Sequence, residues 1–284
     1  MTRTILALLS DTHGGHKLGL LNPDVTLYDE TEDGKITPLH PALTASQGFL
    51  WDIYSEAIVE FARWANGDEV IVLHNGDLTQ GVKYPEQLVS TRAADQVLIG
   101  AENLKPWLLM ANVRTMRLIV GTGSHVLGEG TSEILAAQLL AREYPEHDIQ
   151  VYYHGLIDVG GLQVDISHHG PNQSSRVWLS GNLARYYLNN MIITDMMGGR
   201  TPPGLVVRSH VHTYIDEMMT VDCKPYRIIV TPPLMLMGDH GRQATRSLSH
   251  IQVGLVGIEI IDGEIARVRP YLHSLDIRTK ERLR

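Results

Sequence analysis

Two histidines and an aspartate follow the first apolar run of the chain, in the stretch "SDTHGGH" at residues 10 to 16. Asp11 and His13 stand two positions apart, and residues at i and i+2 of an extended segment point to the same side. A carboxylate and an imidazole on one side are typical ligands of a divalent metal ion. The spacing therefore predicts a metal site where the first strand ends, with further ligands supplied from elsewhere in the chain.

Four later strand-like runs also end in polar clusters. These clusters are Gly76-Asp77, Gly123-Ser124-His125, His168-His169-Gly170 and His210-Val211-His212. Each alone also fits an ordinary turn. Because ligands of α/β sheets gather at the carboxyl ends of strands, the five clusters together are predicted to meet at one rim. Imidazole and carboxylate ligands without thiolates suit manganese, iron, zinc, cobalt or nickel, and the sequence leaves the choice open.

In this order the clusters resemble the motifs of the calcineurin-like metallophosphoesterases, over roughly residues 4 to 215. The family pattern runs Asp-x-His, Gly-Asp, Gly-Asn-His, a strand-end His and Gly-His-x-His. The resemblance implies a two-sheet α/β/β/α sandwich and two divalent metal ions. The implied ligands are Asp11, His13 and His212 for one ion, His168 and His210 for the other, and Asp77 as the bridge.

The resemblance also assigns catalysis to His125 and Asp77. An imidazole at position 125 would lie close to the leaving-group oxygen and act as a general acid. Two ions held by the set above would clamp a phosphate and activate a water. We therefore expect a metal-dependent hydrolase of phosphate esters, with monoester or diester left open.

Ser124 departs from the family pattern, which has Asn before the catalytic His. A hydroxyl is a poorer ligand than an amide carbonyl, so the second ion is predicted to bind more weakly, to take an extra water or to recruit another oxygen. Asn75 and Glu129 lie near pocket segments in the sequence. His169 is the alternative to His168, which is favoured because it is nearer the strand.

The stretch "MGDHGRQATRS" at residues 237 to 247 imitates the metal motifs but follows the last ligand pair. A turn is the favoured interpretation. The alternative is a substrate-facing loop in which Arg242 or Arg246 contacts phosphate through its planar guanidinium.

The composition favours one metallophosphoesterase domain over residues 1–284, with a loop or small hairpin inserted at about 14–44. A net charge of -8 argues against a broad nucleic-acid surface. The single cysteine, the absence of a signal-peptide pattern and the absence of a long apolar run favour a soluble cytoplasmic protein without membrane contact. The oligomeric state is left open.

Strand-like runs alternate with helical patterns over 46–66, 86–112, 131–144 and near 173–193. The helix-bearing part through residue 145 fits the first sheet, the β-rich tail after 215 fits the second, and Asp262-Gly263 fits a hairpin tip.

Three alternatives to the phosphoesterase stay open. They are a DNA or RNA nuclease of the same fold, a hydrolase that uses one metal, and a binding or scaffold protein that has lost turnover. The long first loop and Ser124 also resemble, loosely, phage and prophage members of the family.

Overall fold

The computed structural model describes residues 2–128, 131–171, 177–238 and 248–282. The strands are β1 (Arg3–Leu9), β2 (Leu27–Glu30), β3 (Ile36–Leu39), β4 (Glu69–His74), β5 (Val113–Ile119), β6 (Asp148–Tyr152), β7 (His154–Val159), β8 (Leu162–Ser167), β9 (Leu205–Arg208), β10 (Ile215–Val221), β11 (Lys224–Val230), β12 (His250–Ile261) and β13 (Glu264–Asp276). The helices are α1 (Ala45–Ala65), α2 (Ala93–Leu108), α3 (Thr131–Glu143) and α4 (Val177–Met197), and a 3-10 turn spans Pro85–Gln87.

A six-stranded sheet has the order β13-β12-β1-β4-β5-β6. Strands β1, β4, β5 and β6 are parallel, and β12 pairs antiparallel with β1. The apolar run of β1 is buried on both faces, which is what a continuous hydrophobic strand requires. The carboxyl ends of three parallel strands, β1, β4 and β5, therefore lie side by side at one edge.

A five-stranded sheet has the order β10-β11-β9-β8-β7, with β8, β9 and β11 parallel. The expectation that the whole tail after residue 215 joins this sheet is wrong. Only β10 and β11 do so, whereas β12 and β13 extend the first sheet as a long hairpin. Long antiparallel strands pair equally well with either sheet edge by pattern alone, so the apolar run could not decide between them.

The two sheets face each other across an apolar layer. Leu6 and Leu8 of β1 pack there with Val164 and Ile166 of β8. Helices α1, α2 and α3 cover the outer face of the first sheet, and α4 covers the outer face of the second. The predicted two-sheet α/β/β/α sandwich is confirmed.

The helix termini differ in detail from the sequence prediction. Thr44 caps α1, because its hydroxyl accepts from the backbone of Gln47 while the Gln47 side chain accepts from the backbone of Thr44. The predicted helix 86–112 is shorter, since the chain between the 3-10 turn and α2 is not helical. Pro106 lies in the last turns of α2.

Residues 14–44 contain the antiparallel pair β2 and β3. The chain before β2 is anchored, since Leu21, Val25 and Leu27 are buried against Ile99 of α2. No helix in the described ranges has both the length and the apolar character needed to cross a membrane.

Candidate metal centre

The loops after β1 and β4 run side by side at the common strand edge. The amides of Asp11 and His13 donate to the carbonyls of Gly76 and Asp77, each at 3.0 Å. In the second sheet, the amide of Ser209 donates to the carbonyl of His168 at 2.9 Å. Backbone hydrogen bonds thus fix the polar clusters of neighbouring strands relative to one another.

Asp11, His13 and His212 form one group, with ligand atoms within 4.8 Å of one another. Nε2 of His212 lies 3.2 Å from Oδ1 of Asp11 and 3.3 Å from Nε2 of His13. Oδ1 of Asp11 is buried and accepts no properly oriented hydrogen bond from the described residues. A buried carboxylate oxygen left in this way is costly unless a cation meets it, so the group fits a metal ion.

Asp77, His168 and His210 form a second group within the same 4.8 Å limit. Oδ2 of Asp77 lies 3.1 Å from Nε2 of His168, and the same oxygen lies 3.9 Å from Nε2 of His13. Asp77 is therefore placed between the two groups.

The six side chains supply four imidazoles, two carboxylates and no thiolate. This donor set fits borderline divalent ions.

His125 contacts the centre from a third strand end. Its ring meets that of His13 edge-on at 4.8 Å, and it groups with His13 and Asp77. Its Nδ1 lies 2.7 Å from the carbonyl oxygen of Gln80, to which it donates. Nε2 of His125 is thereby left available for chemistry.

The backbone at the centre is left-handed at several residues. Nine described non-glycine residues have positive φ, and five of them belong to the two groups: Asp11, His13, Asp77, His210 and His212. Each such conformation costs roughly 1–2 kcal/mol for an L-residue. Strain of this kind concentrates at functional sites, where the surrounding structure imposes it.

This geometry corrects one argument made from the sequence. Asp11 and His13 do not alternate on a strand, because β1 ends at Leu9 and both residues have φ near 50°. They face the same site because both adopt the left-handed backbone conformation while their amides donate to the carbonyls of Gly76 and Asp77.

Two glycines make room for the groups. A Cβ at Gly76, where φ is +92°, would lie 2.4 Å from Nδ1 of His168. A Cβ at Gly121 would lie 2.2 Å from both the amide and Oδ1 of Asp77. The glycines beside Asp77 and Thr122 are therefore steric requirements of the centre.

The charges in the centre favour a positively charged partner beside the Asp77 carboxylate. Burial lowers the pKa of His13 to about 3. Burial acts in the same direction on His168, but the carboxylate of Asp77 outweighs it and raises the pKa of His168 to about 9. Burial would raise the pKa of Asp77, yet the facing His168 holds it well below its usual value. A proton on His168 thus provides positive charge that a metal ion can replace.

The remaining sequence candidates fall in different places. His169 is exposed and lies beside the second group, with its ring 4.6 Å from that of His210. Ser124 is exposed on the cleft wall. The amide of Asn75 donates to Ser209 and to the carbonyl of Ser167. Arg242, Arg246 and Glu129 lie outside the described residues.

Thr122 is a contact residue that the sequence reasoning missed. Its Oγ1 lies 3.0 to 3.2 Å from atoms of all three members of the second group. The sequence feature that could have indicated Thr122 is its position directly after Gly121, just beyond the end of β5.

The groups open into a cleft of about 470 Å³. His16 lies on its wall. Lys83, Tyr84, Met235 and Ile251 also line the cleft, and Nζ of Lys83 lies 5.4 Å from the Tyr84 ring centre. The cleft thus has room for a small polar substrate with an apolar or aromatic portion.

No family model and no curated protein matches the chain. The sulfate thiohydrolase SoxB of Thermus thermophilus is similar at 12% identity and a TM-score of 0.40, over 97% of this chain and 57% of that one. A metallophosphoesterase from Sphaerobacter thermophilus is similar at 13% identity and 0.34, over 96% and 89%. A protein of unknown function from Aquifex aeolicus is similar at 15% identity and 0.33, over 74% and 80%.

The chain spans 57% of the length of SoxB. At these identities and TM-scores the likenesses do not assign an activity. The resemblance to phage and prophage members stays a prediction.

Proposed function

We propose that the protein is a metal-dependent hydrolase of phosphate esters. The observation that carries this proposal is the position of Asp77, whose Oδ2 faces His168 at 3.1 Å and His13 at 3.9 Å. One carboxylate between two groups of imidazoles is the arrangement that a pair of divalent ions requires.

The two groups divide the ligands between the ions. Asp11, His13 and His212 would hold one ion, His168 and His210 would hold the other, and Asp77 would be shared between them. When bound, two such ions neutralise phosphate charge and lower the pKa of a water. The identity of the metal is to be measured.

His125 provides a proton to the leaving group in this proposal. The carbonyl of Gln80 accepts from Nδ1 and fixes the ring, so Nε2 is the atom left to exchange a proton, and it donates that proton when the ring is in its imidazolium form. Asp77 and His13 lie beside it, which keeps the donor close to the reacting phosphate.

The cleft supports a substrate larger than inorganic phosphate. Lys83 provides a cation and Tyr84 a ring at its mouth. Arg242 and Arg246, outside the described residues, remain candidates for contact with phosphate.

The test is hydrolysis of p-nitrophenyl phosphate and bis-p-nitrophenyl phosphate by metal-free protein reloaded with each candidate metal. Activity on either ester that requires the metal and disappears in Asp77→Asn supports the proposal. His40→Ala is the matched control, because His40 is exposed beside the small β2-β3 sheet. No turnover of any ester, including single- and double-stranded DNA, with two metals bound would overturn the proposal and favour a binding role.

A further inference from the structure

Thr122 lies within contact distance of every member of the second group. Its Oγ1 is 3.2 Å from Oδ2 of Asp77, 3.0 Å from Nδ1 of His210 and 3.2 Å from Nε2 of His168. The hydroxyl therefore faces the same point as three metal-type ligand atoms.

These separations match those of ligands around one ion. Metal bonds of about 2.0–2.2 Å hold neighbouring nitrogen and oxygen ligands roughly 3.0–3.4 Å apart in octahedral or tetrahedral geometry. The distance between Asp77 Oδ2 and His168 Nε2, 3.1 Å, falls in the same interval. The Thr122 hydroxyl is thus spaced from Asp77, His168 and His210 as one ligand is spaced from its neighbours around an ion.

The backbone fixes the Thr122 hydroxyl in this position. The amide of Thr122 donates to Oδ1 of Asp77 at 2.6 Å, and its carbonyl accepts from the amide of His125 at 2.8 Å. Gly121 permits this approach, since any Cβ there would collide with Asp77. These contacts hold the hydroxyl towards the second group.

Ser124 is the oxygen that the sequence pattern offers for the same role. Ser124 is exposed, whereas Thr122 is half-buried against the second group. Thr122 precedes His125 by three positions in the same loop. The loop therefore supplies both a hydroxyl to the second group and the proposed catalytic histidine.

We propose that the Thr122 hydroxyl is the fourth protein ligand of the second divalent metal ion, in place of Ser124. This inference rests on the two-metal centre of the proposed function. It is tested through metal binding, which is measured whether or not the protein turns over an ester.

The first experiment titrates metal-free protein with Mn²⁺, by calorimetry and by elemental analysis after gel filtration. Thr122→Val removes the hydroxyl at nearly constant shape, and Thr122→Ser keeps it. We expect wild type and Thr122→Ser to bind two ions, and Thr122→Val to bind the second at least about tenfold more weakly. Ser124→Ala should bind as wild type does.

The second experiment replaces the hydroxyl by a soft ligand. Thr122→Cys should shift the second site from Mn²⁺ towards Cd²⁺ and produce a thiolate-to-cadmium absorption band, because thiolates prefer soft ions. Ser124→Cys is the matched control, and wild type accounts for the exposed Cys223. A thiolate band reports direct contact, which a purely structural hydrogen bond would not give.

The outcomes are separable. Unchanged affinity for the second ion in Thr122→Val, or a cadmium band in Ser124→Cys alone, would overturn the assignment. Wild type that binds fewer than two ions would overturn it as well. If Thr122→Val does not fold, the cadmium band of Thr122→Cys decides. Two bound ions without ester hydrolysis would remove the proposed function and leave the role of Thr122 standing.

Discussion

Oδ2 of Asp77 lies 3.1 Å from Nε2 of His168, and both side chains are almost completely buried. The same oxygen faces His13 at 3.9 Å. Replacing a carboxylate shared by two metal sites should change the number of bound ions more than replacing a carboxylate that belongs to one site.

Asp77→Asn is expected to lose both ions, whereas Asp11→Asn is expected to lose only the ion shared with His13 and His212. The reason is that Oδ2 of Asp77 faces both His168 and His13, so Asp77 lies between the two groups. Elemental analysis of each variant after gel filtration measures the stoichiometry, and affinity should fall at least about 100-fold at each affected site. One ion retained tightly in Asp77→Asn would show that the carboxylate does not bridge.

His125→Ala is expected to keep both ions and to lose turnover by roughly 10²–10⁴-fold, the usual contribution of a general acid. The loss should be larger for an alkyl phosphate than for p-nitrophenyl phosphate, because a poor leaving group needs the proton more. Steady-state rates for the two esters measure this. An equal loss for both esters would contradict the general-acid role, and a lost ion would make His125 a metal ligand.

Much of the fold follows from local patterns. Apolar runs locate β1, β4, β5, β8 and β9, and each ends just before the polar residues that face the centre. Asp262 and Gly263 both have positive φ at the predicted hairpin tip between β12 and β13. These features depend on residues close together in the chain, so the sequence carries them directly.

Other features depend on packing that the sequence does not reveal. The pattern of β12 does not disclose that it pairs with β1, 250 or so positions away. The left-handed turns at Asp11 and His13 are imposed by hydrogen bonds to the loop of Asp77. Thr122 was missed because the family motif directed attention to the residue directly before His125. Thr122 is identified by its contacts in space with Asp77, His168 and His210, and the family motif does not include it.

Gly76→Ala is expected to reduce both stability and metal binding. The new Cβ would meet the ring of His168 at 2.4 Å, in addition to the cost of φ +92°. Gly67→Ala is the matched control, because φ is +93° there with no atom within 4 Å. The control should lose roughly 1–2 kcal/mol in urea unfolding and bind metal normally. Equal losses of unfolding free energy in Gly76→Ala and Gly67→Ala would show that the His168 loop moves away from the new Cβ at no measurable cost in stability.

His74 makes the metal-free protein sensitive to acid. Its ring is fully buried beneath the centre, with Nε2 3.0 Å from Oγ1 of Thr12. That hydroxyl donates to the carbonyl of Leu78, so it accepts from a neutral His74. Burial lowers the pKa of His74 to about 4 from the ordinary 6.5.

Because the unfolded state binds a proton near pH 6.5 and the folded state does not, the free energy of unfolding falls as the pH drops from 6.5 towards about 4. The share due to His74 is on the order of 3 kcal/mol. His74→Gln keeps a donor for Thr12 without a titrating ring, so its stability should change less over this interval. Urea unfolding of the two metal-free proteins at pH 7 and pH 4 measures the difference, and other buried histidines such as His13 cancel in it. If the free energy of unfolding changed with pH equally in wild type and in His74→Gln, then burial would not oppose protonation of His74 in the folded protein.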